Sequence, residues 1–124
     1  MRVLLVDDEP SLLFAVRDYL VSEGFEVECA TELEEAKALL LNMTFDVTVT
    51  DLRLTSLNDA DGLHVASFIR ERVLPTRIVV LTAVGSPNIE FEAHRIGVDA
   101  FLRKPSSLRE LADVIRGNNA AVPA

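Results

Sequence analysis

Short apolar runs and segments of helical periodicity alternate from the start of the chain. Val3 to Val6 is an apolar run bounded by an acidic cluster and Pro10. It is too short for a helix and too uniformly apolar for a strand with one wet face, so it predicts a buried strand. Ser11 to Glu23 carries Leu12, Leu13, Val16 and Leu20 at helical spacing, and Gly24 stands where a helix end favours a left-handed residue. Phe25, Val27 and Cys29 then alternate with Glu26 and Glu28, the period of an edge strand with one solvated side. Thr31 and Glu34 have capping-box spacing, ahead of a second helix with Ala36, Leu39, Leu40 and Met43 on its apolar face. Phe45 to Thr50 predicts a third strand that ends at Asp51.

Leu52 to Gly62 reads as a loop. Leu63, Ala66, Ile69 and Val73 place a third helix that ends before Pro75. Arg77 to Thr82, with branched residues on both faces, belongs in the sheet interior. Ala83 to Asn88 predicts a turn, Ile89 to Ile96 a fourth helix stopped by Gly97, Val98 to Leu102 a fifth strand, and Ser107 to Arg116 a fifth helix. Strands alternating with helices imply a three-layer αβα fold: a doubly wound, flavodoxin-like parallel sheet of five strands joined by right-handed crossovers. With the second strand at an edge the order is 2-1-3-4-5, and the topological switch point lies between strands 1 and 3, where such sheets bind ligands beyond the strand carboxyl ends. Residues 1–117 form one domain, and 118–124 read as a tail or the start of a linker.

Composition agrees with one domain: 124 residues, 49% hydrophobic and 26% charged, enough for a core and unlike a disordered chain. The net charge of −8 argues against direct binding of nucleic acid, which needs a basic face. Cys29 has no disulfide partner, no apolar run approaches a membrane span, and Asp7 and Asp8 interrupt the first apolar run as a signal peptide would not. A cytoplasmic location with no membrane contact is expected.

The strand ends carry the chemistry. Asp7 and Asp8 follow the first strand, Asp51 the third, Thr82 the fourth and Lys104 the fifth, so all converge on one crevice. Three carboxylates without a cation would repel, which leaves a perturbed acid cluster or a metal site. Oxygen donors without His or Cys favour Mg²⁺ or a similar hard ion such as Mn²⁺. His64 and His94 fall on helices and read, with Cys29, as packing or surface residues. Lys104 beside such a site suits a phosphoryl group, since three carboxylates, a divalent ion and one ammonium balance in charge. Adjacent Asp7 and Asp8 suit the cation; Asp51, opposite Thr82 and Lys104, suits the nucleophile. The bland reading is that a strand-end Asp caps the next helix, and Asp8 or Ser11 could cap the first.

These residues resemble the receiver domains of bacterial two-component response regulators. The resemblance spans residues 2 to about 117 and lies in VDDEP at 6–10, TDLRL at 50–54, TA at 82–83 and FLRKP at 101–105. It implies Asp51 as phosphoacceptor, Mg²⁺ held by Asp7, Asp8, Asp51 and the Arg53 backbone carbonyl, and Lys104 on the phosphoryl group. It also implies a cis peptide before Pro105, Thr82 as switch hydroxyl and Phe101 as switch aromatic, with core packing the alternative for Phe101. The fourth helix, fifth strand and fifth helix would then change surface on phosphorylation. Expected partners are a sensor histidine kinase or a histidine phosphotransfer domain, with an output domain or a homodimer through that surface. The chain would catalyse its own phosphorylation and slow dephosphorylation.

The Asp51 to Gly62 interval is longer than usual for the family, and Thr55 stands where Pro is common, so 55–61 reads as an expanded loop. Arg53 and Val84 occupy positions that modulate access of the hydrolytic water in similar domains. Leu12 to Val16 are five consecutive apolar residues, more than a core-facing stripe buries, so Leu12 and Ala15, or Phe14, are expected to dock the phosphodonor, with dimer packing or burial by the long loop as the alternative. An alternative function is a Mg²⁺-dependent aspartyl-phosphate phosphatase, since Asp7 and Glu9 mimic its acid spacing, although Pro10 follows. A nucleotide or flavin site is disfavoured, because the first turn is acidic and has no glycine-rich cradle.

Overall fold

The computed structural model describes residues 1–51, 61–82, 87–103 and 107–117. In chain order the elements are β1 (Arg2–Val6), α1 (Pro10–Ser22), β2 (Glu26–Ala30), α2 (Leu33–Asn42), β3 (Val47–Asp51), α3 (Asp61–Glu71), β4 (Arg77–Thr82), α4 (Pro87–Ile96), β5 (Ala100–Arg103) and α5 (Leu108–Arg116). The strands form one parallel sheet in the order β2-β1-β3-β4-β5, as the alternation predicts. β2 is an edge, and its burial alternates with Glu26 and Glu28 exposed and Val27 buried. β4 is interior, and Ile78, Val79 and Val80 are inaccessible to solvent on both faces.

Strand alternation sends successive side chains to opposite faces and so builds two cores. Val3, Leu5, Val47, Val49 and Val79 pack under Leu13, Val16 and Leu20 of α1 and Leu111 and Ile115 of α5. Leu4, Val6, Ile78, Val80 and Phe101 pack under α2 and α3, with Ala93 of α4. Each fully buried aliphatic side chain, such as Ile69 or Ile115, contributes about 1.5–3 kcal/mol relative to exposure. Among the described residues no helix is long and apolar enough to cross a membrane.

Several local expectations are corrected. Thr31 pairs with Glu35, not Glu34: Glu35 Oε1 accepts from Thr31 N at 2.7 Å and from Thr31 Oγ1 at 3.2 Å. The reason is that Glu32 is the residue preceding α2, so the reciprocal position falls one residue later. Val73 does not extend the apolar face of α3. That helix ends at Glu71, and Val73 stands in the left-handed region (φ 54°), 84% exposed. Pro75 disfavours helical backbone at Leu74, and the Leu74 amide instead donates to Ile69 O at 3.0 Å, closing the helix end. Pro87 and Asn88 belong to α4 rather than to the preceding turn, proline being suited to a first helical position. β5 starts at Ala100, after Val98 and Asp99.

Candidate functional site

The register of β1 against β3 builds the site. Val3, Leu5 and Val6 pair with Val47, Val49 and Thr50, so one residue further brings Asp7 level with Asp51. By the same alternation Asp7 follows Leu5, and Asp51 follows Val49, on the face covered by α1 and α5. Both aspartates line a crevice of about 20 Å³ whose walls include Leu12, Leu13, Leu81 and Leu111. A larger cavity of about 230 Å³ lies elsewhere, between Leu41, Met43, Phe45, Leu74 and Thr76, and has no acidic wall. The acidic side chains therefore meet at the smaller crevice, at the switch point between β1 and β3.

Asp7 is 7% exposed and firmly held. Its amide donates to Ala30 O at 3.0 Å, and its Oδ1 accepts the Glu9 amide at 3.0 Å. That second bond turns the chain from β1 into α1. Glu9 precedes the helix with no side-chain cap, so neither Asp8 nor Ser11 takes the capping role of the bland reading. Asp8 faces solvent, and Asp51 is half-buried at the end of β3. The Asp51 carbonyl accepts the Thr50 hydroxyl at 3.2 Å.

Thr82 ends β4 and pairs with Arg103 of β5. Phe101 pairs with Val80, is 9% exposed and packs in the core on the α2 and α3 side. Arg53, Val84, Lys104, Pro105 and the interval 55–60 lie outside the described residues. On α1, Leu12 is half-buried, Ala15 is exposed and Phe14 is 70% exposed, so the five-residue apolar run does leave a patch in solvent beside the crevice. His64 stands exposed in the first turn of α3, and His94 is exposed near the end of α4.

Among the described residues no three Asp, Glu, His or Cys side chains form a ready metal cluster. The donors that converge are the carboxylates of Asp7 and Asp51, with Asp8 next in sequence. Oxygen donors alone, only two of them on the crevice, fit Mg²⁺, which keeps several waters and uses one or two carboxylates plus phosphate oxygens. Sequence reading passed over Arg70 and Asp99, which meet across 29 residues of sequence. No periodicity or motif marks such a pair; only the fold does.

Comparison with known proteins agrees with this architecture. The sequence matches the family model of the response regulator receiver domain over residues 3–116. It is 39% identical over 117 residues to the transcriptional regulatory protein TrcR of Mycobacterium tuberculosis, covering 94% of this chain and 44% of that protein. It is 32% identical over 121 residues to the photosynthetic apparatus regulatory protein RegA of Rhodobacter capsulatus, covering 98% and 64%. The chain thus spans about half the length of these curated relatives. Among solved structures, the beryllofluoride-activated NtrC4 receiver domain dimer superposes with a TM-score of 0.83 at 32% identity, covering 94% of each chain.

Proposed function

Because this chain belongs to the response regulator receiver domain family, we propose that it accepts a phosphoryl group on Asp51 from a phosphohistidine and hands the signal on through a change of surface. In the transfer an Asp51 carboxylate oxygen forms the new P–O bond as the P–N bond of the donor breaks, and the departing imidazole takes a proton from solvent. Slow return follows when water attacks the acyl phosphate and releases inorganic phosphate and the Asp51 carboxylate. The observation that carries this reading is that Asp7 and Asp51 line one crevice at the switch point.

Asp7, Asp8, Asp51 and the Arg53 carbonyl would hold the cation. When bound, Mg²⁺ or Mn²⁺ supplies charge neutralisation for the phosphoryl oxygens. Lys104 is assigned a further phosphoryl oxygen, and the Pro105 peptide the aim of that lysine. The Thr82 hydroxyl follows the phosphoryl group, and Phe101 couples that shift to the surface of α4, β5 and α5. Leu12, Phe14 and Ala15 dock the donor, a sensor histidine kinase or a histidine phosphotransfer domain in the cytoplasm. That surface then meets an output domain or a second copy; the similar NtrC4 receiver domain is a dimer when activated, and the similar TrcR is a transcriptional regulator.

Incubation with Mg²⁺ and acetyl phosphate tests the assignment. One acid-stable, alkali-labile phosphoryl group per chain is expected, absent from Asp51→Ala and absent without divalent metal. Continuous phosphate release with no label on Asp51 would instead identify an aspartyl-phosphate phosphatase.

A further inference from the structure

From Phe91 onward α4 packs lightly on the core. From Phe91 to Ile96 only Ala93 is buried; Glu92 and Ile96 are half-buried, and Phe91, His94 and Arg95 face solvent. α5, by contrast, buries Leu111, Ala112, Val114 and Ile115. Ala93 and the half-buried Ile96 are the apolar side chains that this stretch packs against the core, so it buries less apolar area than α5 does.

The carboxyl end of α4 has a separate fastening. Arg70, in the last turn of α3, donates to Gly97 O from Nε at 3.1 Å and from Nη2 at 2.6 Å. The same Nη2 donates to Asp99 Oδ2 at 2.9 Å, and that oxygen also accepts the Ile78 amide of β4 at 2.7 Å. One guanidinium and one carboxylate thus join the end of α4 to both α3 and the sheet. Gly97 suits the join because its φ of 99° is a glycine conformation. The amino end of α4 is reached from Thr82 through the short segment 83–86.

We propose that Arg70, with Asp99, is the pivot of α4: it locks the carboxyl end to α3 and β4, so that events at the strand ends re-aim the amino end about a fixed point. The proposal rests on the reading that Asp51 phosphorylation drives the α4 surface. Arg70 is a positioning residue here, acting through Gly97 and Asp99. Arginine suits this role because its planar fork reaches the carbonyl and the carboxylate together, which lysine, as a point charge, does not.

Amide hydrogen exchange on the full chain, with and without Mg²⁺ and acetyl phosphate, tests it. In the wild type, phosphorylation should alter exchange in the amino half of α4 and leave His94 to Gly97 unchanged. In Arg70→Met, unphosphorylated, exchange at His94 to Gly97 should rise about tenfold while β1 and β3 stay as they were. Arg70→Lys should recover part of the protection, and Asp99→Asn should give a smaller rise. Equal acceleration in every element of Arg70→Met would mean general destabilisation and overturn the pivot. So would a phosphorylation effect as large at Gly97 as at the amino end. If the wild type takes up no phosphoryl group, the phosphorylation reading and the pivoting motion fail together, whereas the unphosphorylated comparison still decides the clamp.

Discussion

The Asp7 carboxylate accepts the Glu9 amide at 3.0 Å while lining the crevice it shares with Asp51. One side chain therefore both turns β1 into α1 and supplies negative charge to the site. The two roles separate by substitution. Asp7→Asn keeps an Oδ1 acceptor for Glu9, so its unfolding free energy in urea should stay within about 1 kcal/mol of the wild type. Asp7→Ala loses the acceptor and should be less stable by about 1–2 kcal/mol. Both should weaken Mn²⁺ binding, followed by the paramagnetic resonance of the free ion, by tenfold or more. Unchanged Mn²⁺ affinity in Asp7→Asn would remove Asp7 from the cation site.

Thr48 and Thr76 share a hydrogen bond of 3.1 Å between their hydroxyls, with Thr48 fully buried and Thr76 4% exposed. Thr76 has a second acceptor, Arg77 O at 3.4 Å, whereas the Thr48 hydroxyl bonds to Thr76. Thr76→Val should therefore cost more than Thr48→Val, because it strands a buried hydroxyl, at about 1–3 kcal/mol. The double variant replaces both partners by apolar groups of like shape and should recover to within about 1 kcal/mol of the wild type. Additive losses in urea denaturation would show that the bond does not couple the two residues.

How far the sequence could be read follows from what each signal encodes. Strand and helix order was legible because β4 (RIVVLT) and the helical stripes of α1 and α2 state their own burial, and the order 2-1-3-4-5 followed from the half-polar β2. That Asp7 and Asp51 meet at one crevice was legible for the same reason: each stands at the carboxyl end of a strand, and the two strands are neighbours. Three features were not. Val73 continued the α3 period, but Pro75 broke the helix first. The Thr31 cap slipped by one residue because α2 starts after Glu32, which puts Glu35 rather than Glu34 at the reciprocal position. The Arg70, Gly97 and Asp99 cluster joins α3 to the end of α4 by contacts that no local pattern records.

Val73 holds a β-branched side chain at φ 54° and leaves it 84% exposed, so it accepts backbone strain without burying anything in return. Left-handed backbone at such a residue costs about 1–2 kcal/mol. Val73→Asn and Val73→Gly should each raise the denaturation midpoint, with a net gain of about 0.5–1 kcal/mol after the added backbone entropy of glycine is deducted. A lowered midpoint in both would mean that the Val73 side chain makes a stabilising contact despite its exposure.

Burial pushes the Cys29 thiol above its ordinary range; Arg17 opposes the shift, while Glu28 and Glu35 add to it. The neutral thiol is thus the form the fold favours. Stability linked to it is fully present below the ordinary thiol pKa, and is lost as pH rises from there through the raised folded value. Disulfide-exchange reagents should therefore react more slowly with native than with urea-unfolded protein near pH 8, and the native rate should climb at higher pH than the unfolded one. In Cys29→Ser the alkaline loss of stability should shrink. Coincident rate profiles for the two states would show that the thiol is not perturbed.

Phe14 projects from α1 with 70% of its surface exposed, beside the half-buried Leu12 that lines the crevice. A large aromatic in that position gains little from the fold and much from a partner that covers it. The first fifty residues, α1 among them, are acidic: they hold 11 Asp and Glu against 3 Lys and Arg, whereas residues 51–124 hold nine of each. A donor that docks on α1 must then meet an apolar ring within negative charge, so added salt should slow phosphotransfer to this chain. Phe14→Asp should leave the urea midpoint and labelling by acetyl phosphate as they are, because neither needs a covered ring. The same substitution should cut transfer from the phosphorylated cognate kinase by tenfold or more, since it puts a carboxylate where the donor must dehydrate the patch. Equal loss with kinase and acetyl phosphate would place the defect in the crevice rather than in docking, and no loss with either would take Phe14 out of the interface.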